Sequence, residues 1–483
     1  MIKTINFRLV LSVISKILII ISISLLLNGL LCLYFKEPIS PFLISALIAL
    51  FMSVSIHFVS KKARGGSDLK KKDAYLTVTL SWIIICLIGS LPYLFSKAIP
   101  NVENAIFESV SGFTTTGSSI LTDIESLPYS ILFWRSLTHW IGGIGIIVLV
   151  IIIMPSMQIG SYRLFSLESS LQEKIHPKTK QVGISLMLIY VFLTFSEVIF
   201  LLLGKMPLFE SVCHAFGTIA TGGFSPRNTS ITEYSPYIQY VIMVFMCLAG
   251  TNFVIHYYIL KRNFKKIYAN EELKFYGLII FIVGGIVTIS LYFKLGMPFE
   301  ESFRTAFFQV ISIITTTGFA TSDYLLWPIG CITVMFLILF LGGSTGSTAG
   351  GIKMIRHLVL FKNIGANFRK IISPNAIIPV RLNNQTIDVE TNNTILSFIT
   401  LYIMIVIVSS IVLILTGVDG KTATSSVATC MAGIGPGIGS VGPAGNFADF
   451  SIFGKLFLSF IMLVGRLEIN TILILFTPGF WKI

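Results

Sequence analysis

Charge is scarce in this sequence. Asp, Glu, Lys and Arg make up 12% of its 483 residues, about half the share found in a soluble domain, which excludes a water-soluble globular fold. Catalytic clusters are missing as well. Six histidines are scattered without an HExxH spacing, and six cysteines without a CxxC spacing, so no metalloenzyme site, disulfide framework or redox pair is indicated. His139 and His214 lie in apolar helical pattern and read as core residues. The acidic residues inside apolar stretches are too few and too dispersed to provide a convergent acid and base, which argues against an enzyme. Gly437, Gly439 and Gly442 fit GxGxxG, but no βαβ pattern surrounds them. Gly351-Ile352-Lys353 breaks the Gly-Lys-Ser/Thr order of a phosphate loop.

What the chain has in abundance is apolar length. Hydrophobic residues account for 54% of it, and the mean hydropathy is +0.86. Apolar runs recur at 9–35, 39–60, 75–96, 130–155, 183–204, 237–260, 275–295, 326–342, 394–416 and 452–478. Since about 20 helical residues cross a bilayer core, they predict about ten spanning helices. The first run lacks a small-residue cleavage site and reads as a span, not a secretory signal. Basic residues cluster at Lys61, Lys62, Arg64 and Lys70–Lys72, at Lys174, Lys178 and Lys180, at Lys261–Lys266, and at Lys353–Lys370. With alternating spans these clusters share one side, which the positive-inside rule makes cytoplasmic together with both termini. The net charge of +13 is then a topology signal, and nucleic-acid binding is not expected.

One phrase occurs four times: SGFTTTGSS at 111–119, TIATGGFS at 218–225, SIITTTGFATS at 312–322 and MAGIGPGIGS at 431–440. The copies centre on Gly117, Gly222, Gly318 and Gly435, roughly 100 residues apart, each between two apolar runs. The reading is an all-α integral membrane protein. A two-helix accessory hairpin (1–72) precedes four helix–pore loop–helix repeats (73–160, 161–265, 266–372 and 373–483) in pseudo-fourfold arrangement around one ion pore. Acidic openings at Asn104 to Glu108, Phe209–Glu210–Ser211 and Phe299–Glu300–Glu301–Ser302 suit the N-termini of short re-entrant helices. A dehydrated cation needs converging backbone carbonyls, and such irregular backbone needs glycine where φ is positive. Neighbouring threonines satisfy freed polar groups.

The third repeat carries a further feature. Residues 342–351, GGSTGSTAGG, interrupt a run from 326 to 360 with ten residues of low helix propensity, so the helix should break within the membrane and form a movable gate. Arg466 stands deep in the last apolar run, where a guanidinium is costly and needs a partner. Glu468 faces another side of that helix, so exposed carbonyls of 342–351 suit it better.

These residues resemble the bacterial TrkH family of the wider Trk/Ktr/HKT superfamily over nearly the whole chain. The motifs are SGFTTTG, WRSLTHWIGGIGI (134–146), EKIHPKTK (173–180), HAFGTIATGGFS (214–225), TNFVIHYYILKRNFKKIY (251–268), GGSTGSTAGGIKMIR (342–356) and VGRLEINTILILF (464–476). The resemblance implies potassium as the transported ion in the bacterial inner membrane, and a filter made by Thr115, Thr116, Gly117, Ala220, Thr221, Gly222, Thr316, Thr317, Gly318, Gly433, Ile434 and Gly435. It implies a gate at Gly342, Gly343, Gly346, Gly350, Gly351 and Arg466. It also implies a homodimer on a cytoplasmic TrkA-type ring that binds NAD, ATP or ADP, with no nucleotide on this chain. Where the family often has asparagine before the fourth filter glycine, this chain has Ala432-Gly433-Ile434. No proton relay is evident, so the residues do not demand symport; a coupled symporter would need a second ion site.

Overall fold

The computed structural model describes residues 5–60, 70–148 and 179–481. The end of the fourth apolar run, the expected boundary at 160/161, residues 173–178 of EKIHPKTK, and Lys61, Lys62, Arg64, Lys174 and Lys178 lie outside the described residues.

The chain opens with a helical hairpin, α1 (Phe7–Phe35) and α2 (Ser40–Ser60). Its two helices are joined by hydroxyl-to-carbonyl bonds, Ser22 Oγ to Ala46 O at 2.9 Å and Ser53 Oγ to Ser15 O at 2.7 Å. In lipid, where apolar surface alone does not drive helices together, such bonds and close small-residue packing do. The hairpin is fixed to the next unit by Glu37, which accepts from the amides of Tyr129 and Ser130, and by Asn28, which donates to Ser130 O.

Four times thereafter a long helix is followed by a short one, an irregular turn and a returning segment. The first set is α3 (Lys71–Phe95), α4 (Val102–Phe113) and α5 (Tyr129–Val148). The second is α6 (Thr179–Leu203), α7 (Leu208–Ile219), then α8 (Pro236–Ala249) and α9 (Phe253–Leu260), followed by the short α10 (Phe264–Tyr268). The third is α11 (Glu271–Leu295), α12 (Phe299–Ile314), α13 (Ile329–Ile338) and α14 (Met354–Ile372). The fourth is α15 (Val389–Leu415), α16 (Gly420–Ala432), α17 (Ile452–Arg466) and α18 (Ile469–Leu473). A small antiparallel hairpin, β1 (Arg381–Leu382) and β2 (Gln385–Thr386), joins the last two sets. Capping follows from the sequence: Asn270, Asp388, Asp419 and Ser451 accept from the first-turn amides of α11, α15, α16 and α17.

Of the about ten spans expected, the described residues supply six single helices and two bent pairs, up to eight spans if each pair counts as one. Among the described residues six helices are long and apolar enough to cross a membrane: α1, α2, α3, α6, α11 and α15. The runs read as spans at 237–260 and 452–478 are bent by 98° and 113°. The first breaks at Gly250, where Asn252 caps the new helix α9 through Val254 N. The second breaks at Glu468, whose φ of 62° ends α17. Within 326–342 only the ten residues of α13 are α-helical. Hydropathy windows register apolar content and are blind to a one-residue interruption.

The first short helix packs on its long neighbour at a glycine. A Cβ on Gly89 of α3 would collide with the Phe113 ring and meet Ser109 Oγ at 2.8 Å, while Trp134 donates to Gly89 O at 3.0 Å. Gly89→Val should therefore overpack this contact and cost about 1–3 kcal/mol, read as a lowered melting temperature of the detergent-solubilised protein; an unchanged melt would refute the packing role.

Candidate functional site

The short helices α4, α7, α12 and α16 end alike. In each, an amide just past the end of the helix reaches back five residues: Thr116 N to Ser111 O at 2.9 Å, Gly222 N to Gly217 O at 2.8 Å, Thr317 N to Ser312 O at 2.8 Å and Ile434 N to Thr429 O at 3.1 Å. This is the Schellman closure, which requires a left-handed residue just before the donor. That residue is Thr115, Thr221, Thr316 or Gly433, with φ of 51°, 53°, 56° and 72°. A β-branched residue in this region is strained by roughly 1–3 kcal/mol and persists only where its surroundings over-determine it. Here the hydroxyls help: Thr114 and Thr116 pair at 2.8 Å, Thr315 and Thr317 at 2.9 Å, and Thr221 donates to Ala220 O at 2.6 Å. The left-handed conformation is open to glycine and asparagine alike, and Gly433 takes it in the fourth turn.

Two residues further on, each turn has a second left-handed position: Gly117 at 79°, Gly223 at 80°, Gly318 at 82° and Gly435 at 91°. In the second turn this corrects the register. The counterpart of Gly117 is Gly223, not Gly222, and the matching triplet is Thr221-Gly222-Gly223 in place of Ala220-Thr221-Gly222. Consecutive glycines at 222–223 made the phrase ambiguous by one place. Gly222 is glycine for a different reason: a Cβ there would collide with the imidazole of His139, which is buried, without a hydrogen-bond partner at either nitrogen, and set edge-on to Phe224.

The four turns touch in a closed cycle. A Cβ on Gly117 would strike the Gly222 carbonyl, one on Gly223 the Thr317 carbonyl, and one on Gly318 the Ile434 carbonyl; one on Gly435 would lie 3.0 Å from the Thr116 carbonyl. Glycine at each place thus lets a carbonyl of the next turn approach, and the fourth returns to the first. A cavity lined by all four of these glycines, with Arg135 and Asn228, opens on one side. At its rim Asn228 donates to Asp123 at 3.1 Å and holds that carboxyl below its ordinary range, so it stays anionic at neutral pH.

Behind the first turn lies an ion pair that the sequence reading did not single out. Arg135 of α5 donates to Glu108 of α4 at 2.8 Å, and both side chains are shut off from solvent. Glu108 also accepts from Ser119 Oγ and Ile120 N. Arg135 reaches Ser225 O at 3.2 Å and lies 4.1 Å over the Phe224 ring, so it joins the first and second turns. Its signal was available: an arginine within WRSLTHW, inside an apolar run.

None of residues 342–351 lines that cavity; they bond to the turns away from it. Thr348 Oγ1 donates to Ile219 O at 2.9 Å, Gly350 N to Thr316 Oγ1 at 2.7 Å, and Ser344 N to Gly250 O at 2.8 Å. A Cβ on Gly350 would strike the Ala432 carbonyl. Gly346 and Gly351 have φ of 76° and 66°, and Gly342 and Gly343 are pressed against Gly350–Ile352 and Ala349. Arg466 donates to Thr348 O at 2.8 Å and to Gly142 O at 3.1 Å, while Glu468 pairs with Arg356. The segment therefore meets the second, third and fourth units directly and the first through Arg466.

A profile of the TrkH family, described as a cation transport protein, matches residues 42–483. The Trk system potassium uptake protein TrkH of Salmonella typhimurium is 34% identical, covering 99% of this chain and 100% of the relative. The Trk system potassium uptake protein TrkG of Escherichia coli is 32% identical over 95% of this chain and 96% of its own. The crystal structure of the potassium transporter TrkH from Vibrio parahaemolyticus superimposes with a TM-score of 0.91 at 30% identity, covering 99% of this chain and 100% of that one.

The two glycines of the second turn separate experimentally. Gly222→Ala should destabilise the protein by about 1–3 kcal/mol through overpacking, and His139→Ala in the same chain should restore most of that loss. Gly223→Ala should show no such rescue, because its strain is in the backbone. Thermal melts of the two single variants and of each combined with His139→Ala decide; rescue of Gly223→Ala by His139→Ala would reverse the register.

Proposed function

Because this chain belongs to the TrkH family of cation transport proteins, we propose that it takes up potassium across the bacterial inner membrane through one pore, which its four units surround in pseudo-fourfold order. The closed cycle of glycine turns carries this reading. Four carbonyls drawn together at membrane depth can replace the hydration shell of a potassium ion, and such backbone is tolerated there only when packed in protein or lining a wet cavity. The filter is Thr115-Thr116-Gly117, Thr221-Gly222-Gly223, Thr316-Thr317-Gly318 and Gly433-Ile434-Gly435. The four short helices turn their C-terminal partial negative charge toward the ion. Membrane potential supplies about 2.3 kcal/mol per charge per 100 mV, enough for uptake without a coupled ion.

The segment 342–351 is the gate. It lies against the inner face of the turns, and Arg466 fastens it while adding positive charge to the path of a cation. Both termini and the basic connections face the cytoplasm, as the positive-inside rule favours. The chain works as a homodimer with a cytoplasmic TrkA-type ring, and nucleotides act through that ring.

Two measurements in proteoliposomes test the reading. Gly117→Ser puts a side chain where the Gly222 carbonyl stands and should lower the potassium-to-sodium permeability ratio by roughly tenfold, about 1.4 kcal/mol of lost discrimination. An unchanged ratio would remove this turn from the filter. Arg466→Ala removes two charge-assisted bonds of about 1.5–3 kcal/mol each and should raise flux without the ring more than tenfold, while nucleotides alter flux only when the ring is present. Lost flux in a folded variant, or nucleotide control of the chain alone, would count against the gate and the partner respectively.

A further inference from the structure

Glu272, in the first turn of α11, is buried at 1% exposure in a chain where charge is rare. One of its carboxylate oxygens accepts from Thr345 N, within the segment 342–351, at 2.8 Å and from Ile355 N, in the first turn of α14 just after it, at 3.0 Å. These amides are ten residues apart and flank the part of the segment that reaches the turns. Between them the chain runs out and back, and next to them Met354 N donates to Gly343 O at 3.1 Å. The segment is therefore an Ω-shaped loop with a neck and a tip. Arg466 and Thr316 hold the tip, at Thr348 and Gly350. Glu272 holds both strands of the neck on a single oxygen.

The adjoining residue faces the other way. Glu271 pairs with Lys362 of α14, and its amide donates to Asn383 Oδ1 at 2.9 Å. Asn383 and Asn384, with φ of 47° and 64°, form the tight turn between β1 and β2. Lys362 also donates to Arg381 O at 2.7 Å, so α14, the hairpin and the start of α11 are tied together. One helical turn thus carries the loop's neck on Glu272 and the hairpin on Glu271.

We infer that Glu272 is a second clasp on the intramembrane loop, a positioning residue that closes its neck as Arg466 holds its tip, and that the first turn of α11 links that neck to the hairpin at 381–386. This rests on the gate reading of the loop. Two amides from separate strands on one carboxylate oxygen form a geometric lock: moving either strand costs a charge-assisted bond. A displacement of the hairpin or of α14 would reach the lock through Glu271 without touching the ion path.

The test compares ring-free rubidium flux in proteoliposomes of wild type, Arg466→Ala, Glu272→Ala and Glu272→Gln. Glu272→Ala should raise flux roughly tenfold, in keeping with the loss of charge-assisted bonds, with an unchanged potassium-to-sodium ratio. Glu272→Gln, which keeps a carbonyl oxygen, should recover most of the closure. Raised flux in Arg466→Ala with wild-type flux in Glu272→Ala would overturn the clasp and leave the gate standing; wild-type flux in both would overturn the gate and the clasp with it. Should Glu272→Ala not fold, hydrogen exchange in Glu272→Gln decides. Faster exchange of the Thr345 and Ile355 amides than in wild type supports the clasp, and unchanged protection overturns it.

Discussion

Backbone amides and carbonyls that leave a helix inside a bilayer meet no water, and each one left unpaired costs several kcal/mol. The architecture follows from where this chain accepts that cost. It interrupts helices at four glycine turns, at Gly250, along 339–353 and at Glu468, and pairs the freed groups either locally or with partners from elsewhere in the protein. The Schellman closures satisfy the ends of the short helices. Gly250 O, freed by the break between α8 and α9, accepts from Ser344 of the intramembrane loop, and Gly346 O of that loop accepts from Phe253 at the head of α9. One break thus satisfies another. Removing either would leave orphaned groups in the second, so the interruptions are interdependent.

Four charges in the interior follow the same logic. Arg135, Glu108, Glu272 and Arg466 are each bound to irregular backbone: Arg135 to Ser225 O, Glu108 to Ile120 N, Glu272 to Thr345 N and Arg466 to Thr348 O. A buried ion is expensive, but where backbone lacks a helix to satisfy it, a charged group is its strongest available partner. Threonine in left-handed conformation at 115, 221 and 316 adds strain that those contacts must hold.

How much of this was legible beforehand depended on the kind of signal. The glycine phrases could be read because a positive φ leaves a residue-type mark, and the loop at 342–351 because ten small residues interrupt an apolar run. The one-place slip at Gly222 arose because glycine also marks steric crowding, here by His139, and two meanings stood side by side. The breaks at Gly250 and Glu468 were hidden, since a single residue suffices to end a helix while the flanks remain apolar. Arg135 and Glu272 escaped because their partners lie far off in sequence: Ser225 is 90 residues from Arg135, and Thr345 is 73 from Glu272. Local pattern carries backbone conformation; it does not carry which distant strand a carboxylate will find.

The closed cycle of turns is built from four segments of unlike composition. In a ring of identical subunits one substitution lands at every subunit at once, so a change useful at one position must be bearable at all. A single chain is free of that arithmetic. The first segment has an ion pair at its back, the second a wedged imidazole, the third a hydroxyl that receives the loop, and the fourth a glycine where the others have threonine. Each quarter can be altered by itself while three remain as they were, and the aperture between them is free to be lopsided.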